Sequence, residues 1–125
     1  MRRWLWLAVS AMGLSCDGPT AGEVTLSLNT PNVDDGAVAF TLTVPAPNEI
    51  TGASAACGGC EVFATRVSAT ELRGIVTGDL AAGPLVRLGV SQAGPHQAYR
   101  AQVLAVATRQ FAERAATRYT LSVQP

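Results

Sequence analysis

Three stretches of the chain alternate apolar with hydroxyl or small residues at a strict period of two. They are Val24-Thr25-Leu26-Ser27-Leu28-Asn29, Val38-Ala39-Phe40-Thr41-Leu42-Thr43-Val44 and Tyr119-Thr120-Leu121-Ser122-Val123. Successive side chains on a strand point to opposite faces, so this period builds strands with one buried and one wet face. A helix cannot bury such a pattern, because its apolar stripe needs a spacing of three and four. Thr and Val also suit a pleated, half-buried surface.

Shorter strand candidates lie between them: Glu61 to Ser68, Glu71 to Thr77, Pro84 to Val90 and Tyr99 to Ala107. Turn formers separate the candidates, namely Asn29 to Gly36, Pro45-Ala46-Pro47-Asn48, Gly78-Asp79, Ala82-Gly83 and Ala93-Gly94-Pro95. Gly supplies positive φ, Pro a fixed φ, and Asn and Asp local side-chain hydrogen bonds. Seven to eight short strands at such spacing predict an all-β, antiparallel sandwich. The chain is 125 residues long, enough for one domain with one core.

The run from Gln97 to Arg118 competes with this pattern, being Ala-rich and free of Gly and Pro. Helix propensity alone permits a helix over Phe111 to Ala116. Tyr99, Ala101, Val103, Ala105 and Ala107 also satisfy a period of two, which predicts a strand over 99–107. The stretch 108–117 is then a loop with room for one helical turn.

Thr25 to Val44, followed by Ile75-Val76-Thr77-Gly78-Asp79-Leu80-Ala81-Ala82-Gly83-Pro84-Leu85-Val86-Arg87-Leu88-Gly89-Val90, resembles the strand pattern of cohesin-like and other immunoglobulin-like exported modules. The resemblance covers about half the domain and implies an immunoglobulin-like sandwich. It carries no binding site onto any residue.

The first residues read as an address. Arg2 and Arg3 precede the largely apolar run Trp4 to Met12, roughly nine residues, and then small residues, the layout of a secretory signal. The run is far short of the ~20 residues that span a bilayer. A buried N-terminal helix is the other reading of this segment. Gly13-Leu14-Ser15-Cys16 resembles the lipobox of bacterial lipoproteins, whose Cys is diacylated on sulfur and becomes the first residue after cleavage. Ser15 and Cys16 match that pattern, while Gly13 and Leu14 stand where the family has Leu and a smaller residue. A plain signal, cut after Gly13 or Ser15 and leaving Cys16 as a thiol, is the competing reading. The division expected is a signal peptide over residues 1–15, a lipid-anchored tether over 16–22 and a β-sandwich domain over 23–125.

Cysteine count bears on that choice. Three Cys in an exported chain leave one unpaired, and lipid on Cys16 leaves Cys57 and Cys60 as one pair. In Cys57-Gly58-Gly59-Cys60 two thiols can form a small disulfide, act as a redox pair or supply half a metal site. Redox pairs of the thioredoxin type sit at a helix N-terminus, whereas Glu61 to Thr65 reads as a strand. Haem attachment needs His after the second Cys, and Glu61 is there. Structural zinc takes four ligands, and beyond the pair the mature chain offers only His96. A structural disulfide is the preferred reading, and a thiol–disulfide redox protein the alternative.

Other candidates carry less. Ser54 lacks the second Gly of a nucleophile elbow, and His96 stands in a turn. Asp34 and Asp35 suit calcium, but Gly36 follows them and a turn is simpler. Arg66, Arg73 and Arg87 interrupt strands and mark a wet face. The chain has nine Arg, no Lys and nine acids, with no basic run, which argues against a nucleic-acid partner. Removal of residues 1–15 leaves seven Arg against nine acids. The expectation is an exported lipoprotein of the bacterial envelope, anchored to the membrane through lipid on Cys16. It serves as a binding or structural accessory with another envelope protein as partner, rather than as an enzyme, and needs no cofactor or metal.

Overall fold

The computed structural model describes residues 22–92 and 96–125. Nine strands follow one another: β1 (Gly22–Asn29), β2 (Asp35–Thr43), β3 (Ile50–Ala55), β4 (Glu61–Ser68), β5 (Glu71–Leu80), β6 (Gly83–Val90), β7 (Arg100–Thr108), β8 (Glu113–Arg114) and β9 (Thr120–Gln124). Short 3-10 turns occupy His96–Ala98 and Ala116–Arg118. No helix among the described residues is long and apolar enough to cross a membrane.

Two antiparallel sheets form, ordered β3-β6-β1-β9 and β4-β5-β2-β7-β8. Strands β2 to β6 have the Greek-key order of an immunoglobulin-like core, β4-β5-β2 facing β3-β6. Here β1 joins the free side of β6, and β7 joins the free side of β2. The sandwich expected from the alternation is therefore present, with nine strands in place of seven or eight.

The core follows from the alternation. Val24, Leu26 and Leu28 of β1 face Val38, Phe40 and Leu42 of β2, and all are buried. Burying each such side chain contributes about 1.5–3 kcal/mol. Phe40 needs space across the sheet, and Gly74, its cross-strand partner, provides it. A Cβ at Gly74 would lie 2.9 Å from the ring's Cζ.

One strand goes beyond the sequence expectations and two expectations are corrected. Ile50–Ala55 is a strand, although Ile-Thr-Gly-Ala-Ser-Ala offers little branched or aromatic signal. Gly78-Asp79 does not end β5, which runs on to Leu80 with Gly78 at φ 139°. A single-phase strand over 99–107 is wrong in its second half. Ala39 pairs with Ala105 while Phe40 pairs with Val103, so Leu104 is an inserted residue, a β-bulge. Beyond it the buried positions become Val106 and Thr108, and Leu104 and Ala105 turn outward.

Gly22, read as the last tether residue, is the first residue of β1. Cys16, and with it the signal peptide and lipid site, lies outside the described residues.

Candidate functional site

The bulge determines what the outer face of the five-stranded sheet presents. The register aligns Phe63 with Ile75, Ile75 with Ala39 and Ala39 with Ala105, one row across four strands. Phe63 is 60% exposed, Ile75 45% and Leu104 47%. The next row reads Glu61, Thr77, Ala37, Ala107, Glu113. On the other side lie Thr65, Arg73, Thr41 and Gln102.

Alanines at 37, 39, 105 and 107 make a low floor between taller side chains. One depression of about 230 Å³ lies over Ala37, Ala39, Ile75 and Ala105, with Glu113 at its rim. A second, of about 340 Å³, is lined by Phe63, Ile75, Leu104 and Arg73. The outer face of the four-stranded sheet differs, since its central row is Ser54, Arg87, Thr25 and Gln124. One face of the sandwich is polar; the other carries an apolar strip with a charged margin.

Arg73 and Arg87 do mark wet faces. Arg66 is exposed too, but its guanidinium donates to the Ile50 carbonyl at 2.6 Å and ties β4 to β3.

At the end of the sandwich where β1 leads into β2, Asp35 is fully buried. Its Oδ1 accepts from the Tyr119 hydroxyl at 2.8 Å and from Arg114 at 3.3 Å. Arg114 also holds Asp34 through two contacts of 2.9 and 3.0 Å, and Asn32 donates to the Tyr119 oxygen at 2.7 Å. Hydrogen bonding to Tyr119 and then to Asp34 raises the Arg114 pKa above its ordinary value. Asp34 and Asp35 thus serve an ion-pair cluster, and the turn expected over them is corrected: Asp35 and Gly36 are the first two residues of β2. No group of three or more His, Cys, Asp or Glu converges among the described residues.

Cys57 and Cys60 are joined as a disulfide, with Cα atoms 5.7 Å apart, within the ordinary range for such bridges. The bridge closes the turn between β3 and β4, which passes from one sheet to the other. Cys60 is buried against β5, where a Cβ on Gly78 would come within 3.0 Å of its Cα. Cys57 follows a strand and not a helix N-terminus. Ser54 lies on the polar outer face, and His96 opens the 3-10 turn after β6.

Phe111 was passed over in the sequence and is unusual twice. It is 92% exposed, and its φ of 67° is left-handed. Four residues, Arg109 to Ala112, join β7 to β8; the Thr108 N–H donates to the Ala112 carbonyl at 2.8 Å, which leaves Arg109–Phe111 as a three-residue hairpin loop whose last position is left-handed, where Gly is normal. Its backbone is otherwise satisfied, with Phe111 N–H donating to the Thr108 carbonyl at 2.9 Å. The apolar strip was also missed. Its signal was Ala37, Ala39 and Ile75 recurring in the phase opposite to Val38, Phe40 and Val76.

Compared with known protein families, curated proteins and solved structures, the chain matches none of them.

Proposed function

We propose that the chain is an exported lipoprotein, anchored through Cys16, whose β-sandwich is a binding or structural accessory module of the bacterial envelope. The observation that carries the binding role is the exposed row Phe63–Ile75–Ala39–Ala105 with Leu104 beside it. Apolar strips of this kind, rimmed by charge, mark surfaces that other molecules cover. The opposite face, with Arg87, Thr25 and Gln124, has no such strip.

The anchor rests on the Gly13-Leu14-Ser15-Cys16 resemblance and on the odd cysteine count. Five residues, Asp17 to Ala21, separate Cys16 from β1 and extend to at most ~18 Å, so the module works close to its membrane.

A photo-crosslinking side chain placed at Ile75 tests the binding role, with Ser54 on the polar face as the control. Crosslinks to an envelope component from position 75 and not from 54 are expected. Crosslinks from neither position, or equally from both, contradict it.

The second reading is a thiol–disulfide protein, favoured by one observation: Cys57 is only half-buried beside the exposed Gly58 and Gly59. The reduction potential of the pair separates the two readings.

A further inference from the structure

We infer that the Glu61–Thr65 edge of β4 is a self-association surface, on which a second copy of this chain adds its own β4 antiparallel, with the two-fold axis passing at Phe63. Among the described residues β4 pairs only with β5, so its other side offers unpaired N–H and C=O groups. Devices that usually blunt an edge are sparse along this half. Glu61 to Thr65 contains no Pro and no Lys, and Phe63 and Val67 are more than half exposed. The opposite edge of the same sheet is protected by brevity, because β8 has two residues.

The lower end of β4 is already engaged. Arg66 donates to the Ile50 carbonyl, and the Ile50 N–H donates to the Ala69 carbonyl at 2.9 Å. The upper end is open: a Cβ at Gly58 or Gly59 would touch nothing within 4 Å, so the disulfide turn does not obstruct an incoming strand. This places the axis nearer Phe63 than Thr65.

Symmetry and charge select the register. In a two-fold antiparallel pair, residues that share a face oppose one another. With the axis at Phe63, each Phe63 faces its copy, Val62 faces Ala64, and Glu61 faces Thr65. The strip Phe63–Ile75–Ala39–Ala105 then continues without interruption into its symmetry mate across eight strands. Glu61 meets the row in which Arg73 lies directly behind Thr65, so opposite charges approach twice. Moving the axis to Ala64 sets Phe63 against Thr65 and Glu61 against Val67, and loses both matches.

The ladder is short, as in weak interfaces, and confinement to a membrane raises the effective concentration that assembles it. The axis lies along the sheet normal, so both copies of Gly22 stand at the same height along it. On the reading that Cys16 carries lipid, the polar sheet faces the membrane and the doubled strip faces away. That orientation rests on the lipid; the dimer does not.

Light scattering on the purified full chain over a range of concentrations is expected to show a monomer–dimer equilibrium. Phe63→Lys sets like charges opposite each other and weakens the dimer by at least about tenfold. Its thermal unfolding, read at a concentration where the unsubstituted chain is monomeric, stays unchanged, since the side chain is exposed. Glu61→Arg and Arg73→Glu each weaken association, and the double substitution restores it. Phe63→Cys forms a 63–63 disulfide under oxidation, mapped by peptide mass so that bridges through Cys16 count separately, and Val67→Cys does not. A monomer at every concentration overturns the proposal, as does a dimer that survives Phe63→Lys. Dimerisation of chains whose intact mass shows no lipid upholds the interface and removes only the orientation.

Discussion

The Tyr119 hydroxyl donates to Oδ1 of Asp35 at 2.8 Å, joining residues 84 apart in sequence. The bond fastens the start of β9 to the start of β2, the outermost strand of one sheet to the central strand of the other. Asp35 Oδ2 has no partner among the described residues, so the carboxylate depends on Tyr119 and Arg114. Tyr119→Phe removes a donor to a buried charged group, a loss of about 1–3 kcal/mol. Urea denaturation should show a lower midpoint with an unchanged slope. An unchanged midpoint would mean that Arg114 alone satisfies Asp35.

Phe111 predicts a change of the other sign. A left-handed φ costs a residue with a Cβ roughly 1–2 kcal/mol, and glycine adopts it without that cost. Phe111 is almost wholly exposed, so removing its ring opens no cavity. Phe111→Gly should raise stability by about 1 kcal/mol, less the extra freedom glycine gives the unfolded chain. A loss above ~1 kcal/mol in thermal or chemical unfolding would show that the ring has packing partners.

Gly74 is a tight position in the core, facing the Phe40 ring across the ladder. Gly74→Ala should destabilise by about 1–3 kcal/mol through overpacking. Paired with Phe40→Leu, which frees the space, the cost should fall, and a double-mutant cycle measures the coupling. Strict additivity of the two substitutions would contradict the contact.

The disulfide closes a very short loop, so it contributes on the order of 2 kcal/mol at most. A structural role predicts a reduction potential below about −300 mV. A value near or above about −200 mV would favour the redox reading of Cys57 and Cys60.

What the sequence made legible was whatever period-two alternation encodes locally. β1, β2 and β9 announce their inner faces because Val24, Leu26 and Leu28, then Val38, Phe40 and Leu42, then Leu121 and Val123 recur every second residue. β7 misled for a physical reason: the inserted Leu104 reverses the phase, and a bulge leaves no mark in a run of Ala, Val and Leu. β3 was unreadable because Gly52, Ala53 and Ser54 are held by their pairing to β6 rather than by propensity. The site residues were harder still. Asp35 reads as a turn carboxylate, and only Arg114 and Tyr119, some eighty residues on, make its burial tolerable. In β4 and β5 apolar residues stand in both phases, Val62 beside Phe63 and Ile75 beside Val76, so only the pairing shows that Val62 and Val76 point inward.

The outer strip yields a prediction of its own. Ile75→Ser replaces a half-exposed apolar side chain and should change stability by less than about 1 kcal/mol, as surface substitutions do. Crosslinking from a reporter at Leu104, on the same face, should fall. Unchanged crosslinking would remove the strip from the binding surface.

The account stands most directly on the fate of Cys16, and the decisive measurement is the intact mass of the protein extracted from membranes. The expected result is a polypeptide beginning at Cys16 and carrying a diacylglycerol on its sulfur. A chain that retains Met1, or one that begins elsewhere with Cys16 absent or unmodified, would contradict it.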